Sequence, residues 1–86
     1  MKAEELKDIV EKGLLEIGNN EITVEVEMSI PEVAPGEGQY FHIKLAGDIF
    51  LDDLHTVAEA VGDKNIIIDG HPEGGLDVFC CIKNKE

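Results

Sequence analysis

The sequence predicts an α+β fold in which two helices pack on one face of a four-stranded antiparallel sheet, in the element order αββαββ. Two observations predict this two-layer sandwich. Apolar residues recur at spacings of three and four in two segments, as they do along one side of a helix. After each of these segments they alternate with polar residues, as they do in a strand with one buried face. The 86 residues suit one domain, residues 1–86.

The first helix is predicted over residues 2–17. Its apolar stripe consists of Leu6, Ile9, Val10, Leu14 and Ile17. Gly18 follows this stripe, at the position where a left-handed residue commonly ends a helix.

The first hairpin is predicted from two alternating segments, residues 21–30 and 39–45, which are joined by a Pro- and Gly-rich loop at residues 31–38. The loop is longer than a hairpin needs, so it is either a functional protrusion or slack. The register that joins apolar residues on one face and opposite charges on the other places Met28 opposite Phe41, Glu27 opposite His42 and Glu25 opposite Lys44.

The second helix is predicted to begin after Asp48, whose side chain can cap the first turn, and to end at Gly62. Its predicted apolar stripe is Phe50, Leu54, Val57, Ala58 and Val61. The polar residues predicted to face away from this stripe or to flank it are Asp52, Asp53, His55 and Glu59.

The second hairpin joins residues 65–69 to residues 76–83 through a turn at 70–75. Three consecutive isoleucines in the first of these strands predict that it is covered on both faces, or nearly so. The predicted register places Ile68 opposite Val78 on the inner face and Ile67 opposite Phe79 on the outer face.

Two strand orders are compatible with these hairpins. The order first, second, fourth, third would make the topology a circular permutation of the ferredoxin-like βαββαβ fold. In the alternative order, the first and third strands are neighbours.

The charge is the strongest feature of the composition. Nineteen acidic residues oppose seven basic ones, which are all lysines, and the net charge is −12. This charge argues against direct binding of nucleic acid or of an anionic membrane and favours a basic protein partner. No apolar run is long enough to span a membrane, and the charged N-terminal pattern lacks the apolar core of a signal peptide, so we expect a cytoplasmic protein.

One face of the predicted sheet lacks a helix and combines acidic with apolar and aromatic residues, as interaction surfaces do. The residues predicted to bind a partner are Glu25, Glu27, Tyr40, His42, Ile67, Phe79 and Cys81. The function expected is that of a small acidic adaptor or inhibitor. In the alternative, the chain is a structural or accessory protein that uses this face to form a homodimer or larger homo-oligomer. The C-terminal tail or the loop at 31–38 could also cover the face.

The sequence offers no arrangement of residues typical of catalysis. The single serine, Ser29, lies inside a strand, and the adjacent thiols of Cys80 and Cys81 point to opposite faces of theirs. The one local group that could bind a metal is His71 with Asp69, Glu73 and Asp77. A metal or redox protein centred on His71 or Cys81 is the weakest hypothesis, and we expect a protein that is not an enzyme and holds no cofactor or metal.

Overall fold

The computed structural model describes residues 2–29, 38–62 and 66–83 and confirms the α+β fold. These ranges contain two helices and four strands, and the strands form one antiparallel sheet. In chain order the elements are α1 (Ala3–Glu16), β1 (Thr23–Ser29), β2 (Gly38–Ala46), α2 (Leu51–Val61), β3 (Ile67–Gly70) and β4 (Leu76–Lys83). Residues 30–37 and 65, which belong to the predicted loop and to the ends of two predicted strands, lie outside the described ranges.

The strands lie in the order β1-β2-β4-β3, so the alternative with the first and third strands as neighbours is wrong. Both predicted hairpin registers are confirmed: Met28 pairs with Phe41, and Ile67 pairs with Phe79. The central pairing, β2 with β4, places His42 opposite Phe79. This strand order is the one that a permuted ferredoxin-like topology requires, and that topology stays a prediction.

One hydrophobic cluster includes side chains from both helices and from one face of the sheet. Its buried members are Leu6, Val10, Leu14, Val24, Phe41, Ile43, Leu45, Val57, Val61, Val78 and Cys80. The sheet residues in this set all lie on the same face, because directly paired residues of a sheet point to the same side. The cluster supports the two-layer arrangement, which stays a prediction.

The helix α1 ends as its sequence predicts. Gly18 has a left-handed φ of 85°. Its N–H donates to the carbonyl oxygen of Leu15, and the N–H of Asn19 donates to that of Leu14. These two hydrogen bonds form a Schellman motif, which turns the chain from α1 towards β1.

The beginning of α2 differs from the prediction in three respects. The N-cap residue is Phe50 and not Asp48, and Phe50 is exposed and does not belong to the buried stripe. Asp53, which was predicted to face away from the apolar stripe or to flank it, is buried and only 3% exposed. The reason is that the helix begins at Leu51, so Asp53 is its third residue and can reach back to the N-cap. Its Oδ2 accepts hydrogen bonds of 2.8 Å from the Phe50 N–H and from Nδ2 of Asn19.

The prediction that the isoleucine-rich strand is covered on both faces is wrong. Every residue of β3 is exposed, and Ile67 is 60% exposed. The physical reason is the position of β3, which is an edge strand and pairs only with β4 among the described residues. A β-branched run suits the edge of a sheet as well as its centre, so the composition alone could not separate the two.

Some residues of the other predicted apolar stripes are also more exposed than expected. Ile9 and Ile17 of the first helical stripe and Met28 of β1 are all exposed. Of the helices within the described ranges, neither combines the length and the hydrophobicity needed to cross a membrane.

Candidate functional site

The sheet registers place the seven predicted partner-binding residues on the face opposite the hydrophobic cluster. Paired residues form three rows across this face, which we call the outer face. The first row is Glu27, His42, Phe79 and Ile67; the second is Glu25, Lys44, Asp77 and Asp69; the third contains Tyr40 and Cys81. Whether these residues bind a partner stays a prediction, but the chain does bring them together.

The centre of the outer face is a pair of stacked rings. The ring centroids of His42 and Phe79 lie 4.5 Å apart, and the ring planes are inclined by 16°. Phe79 remains 37% exposed, and Ile67, which pairs with it on the other side, is 60% exposed. The middle of the face therefore presents partly exposed apolar surface that runs from β2 to the edge strand β3.

The ring of His42 is held in place by Asp77. Asp77 is not one of the seven residues that were predicted from the sequence to bind a partner. Nε2 of His42 lies 2.9 Å from Oδ1 of Asp77, and the two side chains are 19% and 15% exposed. Asp77 and Phe79 are two residues apart on β4, so their side chains point the same way. That spacing was a usable signal, but only the β2–β4 register shows that Asp77 reaches His42.

Acidic side chains flank the stacked rings on two sides, from Glu27 in the same row and from the row that contains Glu25, Asp77 and Asp69. Nζ of Lys44 donates a 3.1 Å hydrogen bond to Oε1 of Glu27, which is diagonal to it, although Lys44 pairs with Glu25 in the sheet register. This hydrogen bond, together with the charges of Glu27, Glu25 and Asp77, raises the pKa of Lys44. Within the described ranges, the carboxyl groups of Glu25 and Asp69 are exposed and have no salt bridge.

The residues considered for metal or thiol chemistry do not assemble into such a site. Among the described residues, no three His, Cys, Asp or Glu side chains lie close enough together to hold a metal ion. Nδ1 of His71 accepts a hydrogen bond from the N–H of Glu73. In the sheet register Cys81 pairs with Tyr40, whereas His42 pairs with Phe79. The ring of His42 is hydrogen-bonded to Asp77, so the register does not place the imidazole opposite the Cys81 thiol.

Comparisons of the chain with protein-family models, with curated proteins and with solved structures found no match. The functional interpretation therefore rests on the geometry and charge of the outer face.

Proposed function

We propose that this chain is a small acidic protein-binding module, an adaptor or an inhibitor, that binds a basic protein through its outer face. One observation carries the proposal. The partly exposed rings of His42 and Phe79, together with Ile67, lie beside Glu27 and beside the row that carries the carboxyl groups of Glu25, Asp77 and Asp69. An apolar and aromatic centre with a charged rim is the usual composition of a protein-binding surface.

The two parts of the face have different roles in this proposal. Carboxylates such as Glu25 and Asp69 attract a basic partner, because the net charge of −12 produces a negative potential that accelerates encounter. The rings and Ile67 supply most of the affinity once the partner excludes water from them. The hydrogen bond between His42 and Asp77 keeps the ring in one orientation, which lowers the entropic cost of binding.

Self-association through the same face is the rival function. It would bring Glu25 and Glu27 of two copies into one interface, where, in the part of the chain that the structure describes, only Glu27 has a salt bridge, to Lys44, and burial of like charges is unfavourable. A basic partner supplies the opposite charge, so we favour it. No catalytic step and no cofactor is part of the proposed function.

The test compares Phe79→Glu with Leu51→Glu, which places the same charge on another exposed apolar residue, at the start of α2. Each tagged protein is used to capture partners from the native host, and the affinity of the captured protein is then measured at several salt concentrations. We expect Phe79→Glu to lose the partner and Leu51→Glu to retain it. Affinity for the wild type should fall as salt increases.

Ile67→Glu serves as a second variant, since Ile67 lies on the same face but outside the ring stack. Equal binding by wild type, Phe79→Glu and Ile67→Glu would overturn the proposal, as would an affinity that does not respond to salt. Sedimentation over a wide concentration range checks the rival: a dimer that Phe79→Glu dissociates would favour self-association.

A further inference from the structure

We propose that the partner binds in part by adding an extended segment, with alternating basic and apolar residues, to the open edge of β1. This inference rests on the proposed function and specifies how the partner is held. It concerns the backbone of the edge strand rather than the outer face alone.

The strand β1 has one edge available for pairing. It is seven residues long and pairs with β2 on one side, and among the described residues no strand pairs with its other side. About half of its residues therefore direct their N–H and C=O groups away from the sheet. Such an edge is a template for an added strand, with main-chain hydrogen bonds that supply affinity.

The side chains of β1 set the pattern of the added segment. Glu25 and Glu27 point to the outer face, with Val26 and Met28 on the other face. A new strand lies about 4.8 Å away, and its side chains alternate in the same way. Basic residues on its outer side would oppose the two glutamates, and apolar residues on its inner side would contact Met28.

The helix α1 provides a second apolar contact for this segment. Leu15 lines a small cavity of about 80 Å³ together with Ile22 and Val24, so it lies beside the beginning of β1. Leu15 is 60% exposed and Met28 is 51% exposed. An added strand with apolar inner side chains would cover both, which accounts for two large apolar residues that the fold itself leaves in water.

The other edge of the sheet is less suited to this role. The strand β3 has four residues and offers fewer main-chain groups. Its outer side carries one carboxyl group, that of Asp69, whereas β1 carries two at alternate positions. A second copy of the chain is also a poor occupant of β1, because antiparallel self-pairing would oppose glutamates to glutamates.

The experiment uses the synthetic peptide acetyl-Lys-Val-Lys-Val-Lys-Val-Lys-amide and follows the backbone amides of the full chain by NMR. Two control peptides are used: one has the same residues with its lysines and valines in separate blocks, and the other has the same sequence but is N-methylated at alternate residues. We expect the alternating peptide to shift about half of the β1 amides and to slow their hydrogen exchange by about tenfold or more. The block and N-methylated peptides should leave β1 exchange unchanged.

A pair of matched variants locates the edge. Met28→Lys places a charge on the inner side of β1, and Ile68→Lys places the same charge at the equivalent side of β3. We expect Met28→Lys to weaken binding of the alternating peptide by about fivefold or more, since charged residues guard strand edges against pairing, and Ile68→Lys to change it less than about twofold.

Each failure has its own signature. Equal effects of all three peptides, or changes confined to β3, would overturn strand addition at β1. If Phe79→Glu abolishes partner binding while no peptide protects β1, the outer-face function stands and the strand addition is wrong. If the alternating peptide protects β1 while Phe79→Glu retains the partner, the outer-face function is wrong. Protection of β1 without peptide, with dimers in sedimentation, would identify a second copy as the occupant.

Discussion

His42 on β2 stacks against Phe79 on β4, with the two ring centroids 4.5 Å apart. The two residues belong to different hairpins, and no turn connects their strands. Their contact therefore joins the two halves of the sheet on its outer face, while the hydrophobic cluster joins them on the other.

A double-mutant cycle measures the strength of this stack. We expect His42→Ala and Phe79→Ala to show a coupling of about 0.5–1.5 kcal/mol in the free energy of unfolding, the usual range for neighbouring aromatic rings. Urea denaturation of the wild type, both single variants and the double variant gives the coupling. As a control, His42→Ala with Leu51→Ala should be additive, because Leu51 is an exposed residue at the start of α2 and does not belong to the outer face. Additivity of the His42 and Phe79 changes would show that the stack contributes nothing.

Asp53→Ala tests the buried carboxyl group at the start of α2. The substitution removes the acceptor of two hydrogen bonds, from the Phe50 N–H and from the side-chain amide of Asn19. We expect the free energy of unfolding to fall by about 2–3 kcal/mol, because two partly buried hydrogen bonds to a charged acceptor are lost. Asp52→Ala, the exposed neighbour, should cost less than about 1 kcal/mol. Similar costs for both variants would mean that the two hydrogen bonds are not important for stability.

Two adjacent glycines in the β3–β4 turn should respond very differently to alanine. Gly74 and Gly75 have φ values of 102° and 86°, so alanine is strained at either position. At Gly75 a Cβ atom would also collide with the carbonyl oxygen of Leu45, whereas at Gly74 it meets nothing within 4 Å. We expect Gly74→Ala to cost about 1–2 kcal/mol in thermal or urea unfolding and Gly75→Ala to cost clearly more. The reverse order would contradict the close approach of the turn to β2.

The ion pair between Lys44 and Glu27 predicts a pH dependence at the alkaline end. Glu27 raises the pKa of Lys44 above its ordinary value of 10.5, so the folded state holds this proton more tightly than the unfolded state does. The stabilisation is complete below the ordinary value and is lost as the pH rises through the raised one. The stability difference between wild type and Lys44→Met should therefore shrink at high pH.

The control for this prediction repeats the Lys44→Met comparison in a Glu27→Gln background. There the alkaline loss should be much smaller, because the main cause of the shift is gone. About 1 M salt should also reduce the difference between wild type and Lys44→Met, since the pair is exposed to solvent. A difference that stays constant with pH in the wild-type background would contradict the pKa shift of Lys44.

The local parts of the fold could be predicted from the sequence because their signals are local. The alternation of Val24, Val26 and Met28 with glutamates determines which side of β1 is buried, and a shift of one residue would reverse every side chain. The same reasoning predicted β4 with the bounds that the structure gives. The β2–β4 register, by contrast, was not predicted, since no turn constrains it.

For the candidate site, the sequence likewise predicted which residues share a face but not which side chains contact one another. The alternation of apolar and polar residues in each strand places Glu27, His42 and Phe79 on one face, and the structure agrees. The hydrogen bond between His42 and Asp77 and the diagonal hydrogen bond from Lys44 to Glu27 depend on side-chain rotamers. A strand register does not determine these rotamers. The burial of Asp53 was not predicted, because Asp48 was taken as the N-cap of α2. The helix begins at Leu51, two residues later than that cap implies.

The two hydrogen bonds of Asp53 also constrain how the chain can come apart. They connect the segment after α1 to the first turn of α2, which belong to different helix–hairpin halves. A half-chain that ended before α2 would leave the side-chain amide of Asn19 without its acceptor. The other half would leave the carboxyl group of Asp53, which is buried in the whole chain, without one of its two donors. We therefore expect that neither half folds on its own, that opening of one half loosens the other, and that the protein unfolds in one cooperative transition.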